Sequence, residues 1–567
     1  MPSTANHHRK KQHSQLKGRS IKPAALVQIL ELLGDAPRRR DLLIEYLHRI
    51  QDSQGHISAD LLTALASEMR LSVAEVYEVA SFYHHFDLVK PGQPAPPALT
   101  IRVCDSISCA LAGAEQLIQQ LAHKLGDGVR VQRVPCVGRC QDAPVAVVGR
   151  NPVHQANLQT VESRLTEGAL TAPLPECLDY TSYVAAGGYR LLTRIDRGTL
   201  SVEGEEVDAS EHVLGMLEAS GLRGLGGAGF PAGRKWRILK QQPAPRLMAV
   251  NIDEGEPGTF KDRHFLELDP HRFLEGMLIA ARVVGIDEIY IYLRDEYAGI
   301  RAMLTRELAA LRLNPPCQLP AIHLRRGAGA YICGEESAMI ESIEGKRGMP
   351  RLRPPYVAEV GLFGRPTLEH NMETLYWVRD LLERGTSWFT EQGRHGRHGV
   401  RAFSVSGRVC RPGVHLAPAG ITLRELIDEY CAGMAEGHEL YAYLPGGASG
   451  GILPASLANI PLDFDTLQPH GCFIGSAAVI VLSQHDSVRD VALNAMRFFA
   501  HESCGQCTPC RVGCSKAVEL MSRQEWDREL MQELAQVMAD ASICGLGQAA
   551  PNPMLSVLRY FPNELES

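Results

Sequence analysis

Four cysteines near the carboxyl end constrain the fold of this chain more than any other feature. The stretch ESCGQCTPC places two residues between Cys504 and Cys507 and two between Cys507 and Cys510, and Cys544 follows in SICGLG. Three thiolates at this spacing can each bind one iron of a cubane, and a remote thiolate can bind the fourth, because each iron needs one soft anionic ligand. The spacing predicts a 4Fe-4S cluster. Cys514 is a further possible ligand by spacing, and a zinc site or inert buried thiols are the alternatives to a cluster.

Another group of four cysteines lies in the first third of the chain. Four residues separate Cys104 from Cys109, three separate Cys136 from Cys140, and each pair follows a strand-like run. Two loops that meet could offer four thiolates to a 2Fe-2S cluster. Neither pair has the C-x2-C spacing of a zinc ribbon, which weakens the zinc alternative. The other cysteines are scattered and are predicted to be small core residues: Cys177, Cys317, Cys333, Cys410, Cys431, Cys472 and Cys514.

The composition argues against two classes of partner. Lys and Arg number 58 against 65 Asp and Glu, a net charge of -7, whereas binding to a phosphate backbone needs a basic face. We therefore expect no nucleic-acid partner, and the basic segment 1–20 is typical of a disordered tail. No stretch reaches the roughly 18 apolar residues of a membrane span, and no apolar run near the start indicates a signal peptide. These features predict a cytoplasmic protein without a disulfide framework.

Helical and strand periodicity divides the chain into five folded regions, so the predicted fold class is multidomain, α/β and α+β. Apolar residues at three- and four-residue spacing predict helices at both ends, and alternating strand-like and helical runs between them predict a mostly parallel sheet. The regions are a helical bundle (21–90), a small α/β domain (98–172), a large α/β domain (187–398), a β-grasp-like domain (399–485) and a helical domain (486–567).

The segment GLRGLGGAGFPAGRKW has the spacing G-x-G-x-x-G from Gly224 to Gly229. A dinucleotide-binding turn must follow a strand and open a helix, but the preceding run is helical, and Pro231 and Gly233 argue against a helix directly after the glycines. The glycines instead predict a loop whose backbone N-H groups approach a planar or phosphorylated ligand, with Lys235 as a nearby cation. A plain structural glycine loop is the alternative.

Two later stretches have the composition of ligand loops. NIDEGEPGTFKDR, residues 251–263, follows a strand-like run and places polar side chains at a strand's carboxyl end, where open α/β sheets bind ligands. GAGAYICGEESAMIESIEG, residues 327–345, has glycines followed by the adjacent carboxylates Glu335 and Glu336. Acidic pairs usually lie on solvated faces, so neither stretch alone establishes a site.

Together, GLRGLGGAGFPAGRKW, NIDEGEPGTFKDR, YICGEESA and ESCGQCTPCR resemble the flavin-bearing, NADH-oxidising subunit of respiratory complex I. That resemblance runs from Gly187 to the carboxyl end, and residues 21 to about 170 resemble the 2Fe-2S subunit of the same enzyme. Such a fusion is most similar to the diaphorase large subunits of soluble NAD-reducing nickel-iron hydrogenases. It implies a thioredoxin-like 2Fe-2S domain at 98–172, a Rossmann-like FMN- and NAD(H)-binding domain at 187–398, and a C-terminal helical bundle that holds the 4Fe-4S cluster.

The resemblance also implies the residues of the site. The residues expected to contact FMN are Gly224, Gly226, Gly227, Lys235, Asn251, Asp253, Gly334, Glu335 and Asn371. The residues expected to line the nicotinamide-nucleotide site are Phe230, Glu256, Tyr331, Glu336, Arg353 and Tyr356, with Glu256 and Glu336 as candidate catalytic residues. The chain departs from the family pattern at Leu225, at Arg353 to Tyr356 and at His370, and each departure alters one expected contact.

The implied activity is that of a diaphorase, which exchanges hydride between NAD(H) and FMN and then single electrons with the 4Fe-4S cluster. The 2Fe-2S cluster would be a side store or a second exit. The implied partners are an iron-sulfur electron-transfer subunit and hydrogenase subunits in a hetero-oligomer. The alternatives are a formate dehydrogenase diaphorase, a complex I-like NADH dehydrogenase module, and, from another class, a non-catalytic metal or cluster scaffold.

Overall fold

The amino-terminal region is a group of helices. The computed structural model describes residues 20–565, so the tail expected over 1–20 lies, apart from its last residue, outside the described residues. Ser72 and Glu75 form a capping box at the start of the last helix, each side chain accepting the other residue's backbone N-H. The helices are Pro23–Leu33, Leu43–Gln54, Ala59–Glu68 and Val73–Phe82, and the two-residue strands Ile57–Ser58 and Leu88–Val89 pair in parallel.

The small α/β region that follows contains a four-stranded mixed sheet. The strands lie in the order Arg130–Val134, Thr100–Cys104, Ala146–Val148 and Asn151–Val153, the first pair parallel and the others antiparallel. The helices are Ile107–Leu111, Ala114–Leu125 and Leu158–Thr166. The apolar side of Ala114–Leu125 packs on the sheet, and its buried residues are Ala114, Leu117, Ile118 and Leu121.

A connecting region leads into the large domain. Residues 167–179 form no helix or strand, and the helices Tyr180–Ala185 and Arg190–Asp196 follow. The strands Thr199–Val202 and Glu205–Asp208 then form an antiparallel hairpin that the sequence analysis did not predict. Leu200 on this hairpin is buried in the same core as the helices around it, so the hairpin closes one side of the large domain.

The large domain is built on a four-stranded, entirely parallel sheet, which confirms the expected mostly parallel arrangement. The order of its strands is Ala321–Arg326, Ile286–Leu293, Arg246–Ile252 and Thr367–Asn371. Alternate residues of Arg246–Ile252 belong to different cores: Ala249 packs with the amino-terminal bundle and the carboxyl-terminal helices, and Val250 packs with the domain's own helices. Both faces are therefore covered, as a parallel sheet requires.

Helices surround this sheet, and its strands all end at one edge. Helix Pro270–Val284, with 13 of its 15 residues buried, begins after Asp269, whose side chain accepts the Arg272 N-H at 3.1 Å. The other helices are Ala209–Ser220, Ala232–Lys240, Lys261–Leu268, Ala298–Leu313, Glu336–Ile343, Met372–Tyr376, Val378–Arg384 and Thr386–Thr390. Because the strands are parallel, the residues that follow them meet at the carboxyl edge.

A five-stranded mixed sheet follows the large domain. Its strands lie in the order Gly413–Pro418, Val400–Gly407, Ala478–Ser483, Leu440–Leu444 and Leu453–Pro454. The first strand in sequence pairs in parallel with the last, and the other pairs are antiparallel. The helical turn Leu423–Glu425 continues into a π-helical turn, Leu426–Tyr430, and Leu423, Leu426 and Ile427 are buried in the core of this sheet. The hairpin, helical segment and later strand expected from the sequence are all present.

Helices form the rest of the described chain: Val488–Glu502, Thr508–Met521, Arg528–Ala541, Gly545–Ala549 and Asn552–Tyr560. They share one buried core with the amino-terminal helices and with one face of the parallel sheet. Among residues 20–565, no helix combines the length and the apolarity needed to cross a bilayer.

Candidate functional site

The glycine loop connects two helices at the carboxyl edge of the parallel sheet. Helix Ala209–Ser220 precedes it, so the dinucleotide-binding context is absent, as expected. Helix Ala232–Lys240, however, begins directly after Pro231, so the expectation that Pro231 and Gly233 would prevent a helix there was wrong. Proline is favourable at a helix start because it lacks only an N-H that would have no helical partner.

The glycines bring the loop close to other backbone and side-chain atoms. The Gly224 N-H donates to the Phe230 carbonyl at 2.8 Å, which closes the loop on itself. A Cβ at Gly226 would lie 2.9 Å from the Asn371 Cβ, so only glycine allows this approach to the last residue of strand Thr367–Asn371. The loop therefore packs directly on the carboxyl edge.

Polar groups converge at this edge from four segments of the chain. The Asn251 amide donates to the Gly334 carbonyl at 2.9 Å, and its Oδ1 accepts the Asp253 N-H at 3.0 Å. Lys235 Nζ lies 3.1 Å from Glu369 Oε2. The structure thus brings together residues predicted to contact FMN, and it adds Glu369, which the sequence analysis missed.

Asp253 gives the most direct indication that a polar ligand belongs here. Its Oδ2 is buried and has no hydrogen-bond partner in the described part of the chain, and burial raises the pKa of this carboxyl well above its usual value. A Cβ at Gly334 would lie 3.3 Å from the Asp253 carbonyl and 3.7 Å from Oδ2. An unpaired buried oxygen beside glycine backbone fits a hydrogen-bonding, planar group such as FMN.

Asn371 is held in place by a buried ion network. Its Nδ2 donates to Asp262 Oδ2 at 2.7 Å, and Lys261 Nζ lies 2.8 Å from Asp262 Oδ1 and 2.9 Å from Glu373 Oε2. Burial disfavours the charge of Lys261, but Asp262, Glu373 and Glu254 outweigh it and raise the lysine's pKa. The sequence analysis missed Lys261, although a lysine directly inside the acidic loop 251–263 was a usable signal.

The adjacent carboxylates Glu335 and Glu336 share the Arg353 guanidinium, whose Nη2 donates to Glu335 Oε1 at 2.5 Å, but their other contacts differ. Glu335 Oε2 accepts the N-H groups of Ser337 at 3.0 Å and Ala338 at 2.9 Å, so this side chain caps helix Glu336–Ile343. Glu336 Oε1 lies 2.8 Å from Arg353 Nη2. Burial, followed by the nearby Glu369 carboxylate, raises the pKa of Glu336 against the opposing effects of Lys235 and Arg353. Glu336 therefore belongs to the polar group at the carboxyl edge.

Glu256 and Tyr331 form a bonded pair. The Tyr331 hydroxyl donates to Glu256 Oε2, and Oε1 accepts the Ser449 N-H at 2.7 Å and the Ser449 hydroxyl at 2.9 Å. Burial raises the pKa of Glu256. The Tyr331 ring packs on Phe498 with 5.0 Å between centroids. This pair therefore connects the carboxyl edge to the five-stranded sheet and to helix Val488–Glu502.

The remaining residues that are predicted to line the nucleotide site lie at the surface. Phe230 is 42% exposed and Tyr356 is 55% exposed, and the Arg234 guanidinium lies 5.8 Å from the Phe230 ring centroid. An exposed aromatic ring beside a polar edge is a surface on which a heterocycle can stack. Arg353, which contacts Glu336, joins this surface to the carboxyl edge.

Two residues that depart from the family pattern, Leu225 and His370, have buried side chains. Leu225 is buried in the core of the large domain, and its N-H donates to the Thr374 hydroxyl at 2.9 Å. His370 is buried and accepts the Trp236 indole N-H at 2.7 Å. Burial lowers the pKa of His370 well below its usual value, so this histidine is neutral and adds no charge to the site.

The carboxyl-terminal group of cysteines surrounds one cavity. Cys504, Cys507, Cys510 and Cys544 line it together with Ile332, Pro350, Ser503, Gln506, Ile543 and Leu546. Cys507 and Cys544 each directly precede a helix, and burial raises the pKa of the Cys544 thiol against the opposing effect of the Leu546 and Gly547 N-H groups. Cys514 is buried, with its Sγ 4.0 Å from Cys510 Sγ, and does not line the cavity. Four thiols that line one cavity fit a 4Fe-4S cluster.

The four cysteines of the small α/β region are also brought together. All four are buried, Cys136 Sγ lies 3.3 Å from Cys140 Sγ, and Cys104 interacts with both Cys109 and Cys136. Four thiols in contact fit a 2Fe-2S cluster. Arg294 Nη2 donates to the Cys136 carbonyl at 2.6 Å, which fixes the cysteine loop against the large domain.

The expectation for the scattered cysteines is only partly correct. Cys333, Cys431, Cys472 and Cys514 are buried, as predicted. Cys177 and Cys317 are partly buried, and Cys410 is exposed, so the prediction that all seven are core residues was wrong. The Cys410 thiol instead donates to the Met434 carbonyl at 3.0 Å at the domain surface.

Three family models match this chain. They are the Nuo51 FMN-binding domain at residues 217–380, the thioredoxin-like [2Fe-2S] ferredoxin at residues 29–168, and the NADH-ubiquinone oxidoreductase-F iron-sulfur binding region at residues 490–567. These matches confirm the predicted FMN, 2Fe-2S and 4Fe-4S cofactors at the level of domains.

Relatives match over a large part of the chain. An NADH-quinone oxidoreductase subunit from Rhizobium meliloti is 38% identical over 399 residues, 68% of this chain and 93% of the relative. The mitochondrial NADH-ubiquinone oxidoreductase 51 kDa subunit of Neurospora crassa is 40% identical over 376 residues, 63% of this chain and 76% of the relative. A chain in the crystal structure of an NAD+-reducing [NiFe]-hydrogenase in the H2-reduced state has 29% identity and a TM-score of 0.79, with 94% of this chain and 93% of that chain covered.

Proposed function

Since the chain belongs to the NADH-quinone oxidoreductase family of 51 kDa-type, FMN-binding subunits, we propose that it is a diaphorase module of an NAD-reducing hydrogenase, passing electrons between NAD(H), FMN and iron-sulfur clusters. One observation carries this proposal. The turn Tyr331–Gly334 contributes Ile332 to the wall of the four-thiol cavity, and Gly334 of the same turn accepts the Asn251 amide at the carboxyl edge. A single four-residue turn thus separates the proposed flavin edge from the proposed cluster cavity.

The proposed contacts divide into two groups. The residues proposed to bind FMN are Gly224, Gly226, Gly227, Lys235, Asn251, Asp253, Gly334, Glu335 and Asn371, and those proposed to line the NAD(H) site are Phe230, Glu256, Tyr331, Glu336, Arg353 and Tyr356. Cys104, Cys109, Cys136 and Cys140 would hold the 2Fe-2S cluster, and Cys504, Cys507, Cys510 and Cys544 the 4Fe-4S cluster. When bound, FMN supplies two-electron exchange with a nicotinamide and one-electron exchange with iron-sulfur clusters.

The protein's own residues supply position and charge. Lys235 is held by Glu369 at the carboxyl edge, where its ammonium can stabilise negative charge on a bound group. Asp253 offers an unpaired oxygen to a ligand N-H or hydroxyl. Glu256 is held by Tyr331 and by Ser449, so its carboxylate has one fixed orientation. These contacts fix polar groups before a ligand arrives, which lowers the cost of binding.

The surrounding assembly is part of the proposal. The matched solved structure is a NAD+-reducing hydrogenase, and the match spans nearly the whole chain. We therefore propose a hetero-oligomer with an iron-sulfur electron-transfer subunit and hydrogenase subunits, in which the five domains expected from the sequence act as one electron-transfer unit. All fifteen cysteines are unpaired, which suits the reducing cytoplasm. The alternatives are a formate dehydrogenase assembly and a complex I-like assembly. The first would contain molybdenum instead of nickel in the purified complex, and the second would contain neither metal.

Cofactor content and dye reduction test the diaphorase proposal. The purified protein should contain FMN and should reduce an artificial electron-accepting dye with NADH. The rival scaffold function predicts cluster absorbance or zinc alone, with no flavin and no NADH-dependent reduction of the dye. Nickel in the complex purified with this chain supports the hydrogenase assignment, whereas molybdenum supports the formate dehydrogenase alternative.

Replacing Glu336 with glutamine should weaken NAD(H) binding without releasing FMN. The change removes a carboxylate that lies 2.8 Å from Arg353 while keeping the side-chain shape. Loss of one charge-assisted hydrogen bond from this carboxylate to the nucleotide costs about 1.5 kcal/mol, so the KM for NADH should rise about tenfold. Steady-state kinetics and FMN content are the measurements. The exposed Glu391 provides the matched control, because Glu391→Gln should change neither value. An unchanged KM in Glu336→Gln would contradict the assignment.

A further inference from the structure

We propose that His84, His501 and Glu502 form a binding site for a divalent transition-metal ion such as Zn2+, which fastens the amino-terminal bundle to the carboxyl-terminal helices. His84 follows helix Val73–Phe82, and the other two residues end helix Val488–Glu502. Each residue offers one ligand atom, and these three atoms lie within 4.8 Å of one another. The site is separate from the two groups of cysteines proposed to hold the clusters.

The distances are close to those of a metal site. His84 Nδ1 and His501 Nε2 each lie 4.0 Å from Glu502 Oε1. Ligands of a tetrahedral Zn2+ at about 2.0–2.1 Å lie about 3.3 Å from one another. Each histidine nitrogen must therefore approach the carboxylate oxygen by about 0.7 Å, and the two nitrogens, which lie within 4.8 Å, must approach each other by up to about 1.5 Å. The two imidazole side chains are 38% and 49% exposed and can make such shifts, whereas the Glu502 side chain is only 4% exposed.

The carboxylate is fixed by the backbone of a neighbouring segment. Glu502 Oε2 accepts the Tyr331 N-H at 2.9 Å, while Oε1 is the oxygen nearest to both imidazoles. A hydrogen bond that orients a ligand carboxylate is a usual feature of metal sites. Two histidines and one glutamate leave a fourth position open toward solvent, which a water molecule can fill.

The two imidazoles lie close together. A neutral imidazole offers one ring-nitrogen lone pair to a metal ion. Their rings lie 4.1 Å apart at an angle of 37°. A simple stacked pair of imidazoles is the alternative, and it would bind no metal.

The location gives the ion a structural role. The amino-terminal helices and the carboxyl-terminal helices already share one core, and the three ligands lie on both sides of that contact. A metal that binds only the folded arrangement stabilises it in proportion to its affinity and concentration. Zn2+ should therefore raise the melting temperature of the protein only when both sides contribute their ligands.

Equilibrium dialysis with Zn2+ tests the proposal on the full chain loaded with FMN and iron. The native protein should bind one Zn2+ per chain while its iron content stays constant. His84→Gln should lower the affinity about tenfold or more, because even loss of a group that supports a ligand costs 10–100-fold. His123→Gln, at an exposed histidine of helix Ala114–Leu125, is the matched control and should bind Zn2+ like the native protein.

The ligand shell provides a second and independent readout. X-ray absorption at the zinc edge should show nitrogen and oxygen neighbours at about 2.0–2.1 Å and no sulfur shell near 2.3 Å. Absence of binding to the native protein, equal affinity in His84→Gln, or a sulfur shell would each overturn the proposal. If His84→Gln loses FMN or iron, His501→Gln replaces it, with the same expected loss of affinity. The test counts bound metal and does not depend on NADH oxidation.

Discussion

The Cys544→Ser variant should lose its 4Fe-4S cluster, whereas Cys514→Ser should keep it. Cys544 lines the same cavity as the three closely spaced cysteines, but Cys514 does not line this cavity and has its Sγ 4.0 Å from Cys510 Sγ. Serine is a poor ligand for iron in a cluster, which requires soft thiolates. The iron content should therefore fall from about six atoms per chain to about two in the first variant only.

Iron analysis and electron paramagnetic resonance of the reduced proteins distinguish the two variants. The 2Fe-2S signal should remain in both, because its four proposed ligands lie in a separate domain. NADH-dependent reduction of a dye that accepts electrons from flavin should also remain in both. Loss of four irons from Cys514→Ser, with retention in Cys544→Ser, would show that the assigned fourth ligand is the wrong one.

The Gly224→Ala variant should lose most of its affinity for FMN while remaining folded. A Cβ at Gly224 would lie 3.5 Å from the Phe230 carbonyl oxygen and 3.8 Å from the Phe230 nitrogen, which are ordinary van der Waals distances. The protein alone therefore tolerates the methyl group, and only a ligand packed on the loop would meet it. Overpacking by one methyl group costs about 1–3 kcal/mol, so the Kd for FMN should rise about 5- to 150-fold.

Of two other glycines, one is unsuitable for this test and the other provides its control. Gly226→Ala is unsuitable, because its Cβ would lie 2.9 Å from the Asn371 Cβ and would disturb the fold whether or not FMN is present. Gly215→Ala, at an exposed position of helix Ala209–Ser220 with no atom within 4 Å, is the matched control and should leave the Kd unchanged. Fluorescence titration measures the Kd, and thermal unfolding checks the fold. A native Kd in Gly224→Ala would show that the flavin does not contact this part of the loop.

Short-range patterns predicted much of this molecule. The spacing from Cys504 to Cys510 depends only on neighbours in the chain, and all three residues line one cavity. Three of the four strands of the parallel sheet were predicted, because runs such as Arg246–Ile252 are apolar on both faces, but the edge strand Thr367–Asn371 was missed. The hairpin Thr199–Val202 with Glu205–Asp208 was missed, although Gly204 between two alternating runs was a usable turn signal.

Long-range pairings could not be predicted from the residues alone. Glu256 bonds to Ser449, 193 positions later, and Lys261 pairs with Glu373 only because the starts of two helices meet in the folded chain. The burial of Leu225 could not be predicted for the same reason, since a side chain's direction in a loop depends on the core that forms around it. Such contacts follow from tertiary packing, which overrides local preference.

An anaerobic NADH titration of the purified protein, followed by visible absorbance and electron paramagnetic resonance, tests the central proposal most directly. We expect NADH to bleach the flavin absorbance and to produce signals from reduced iron-sulfur clusters, because the proposed flavin edge and the four-thiol cavity share the turn Tyr331–Gly334. If FMN and iron are bound but NADH changes neither signal, the nucleotide site is not functional and the chain is a scaffold for its cofactors.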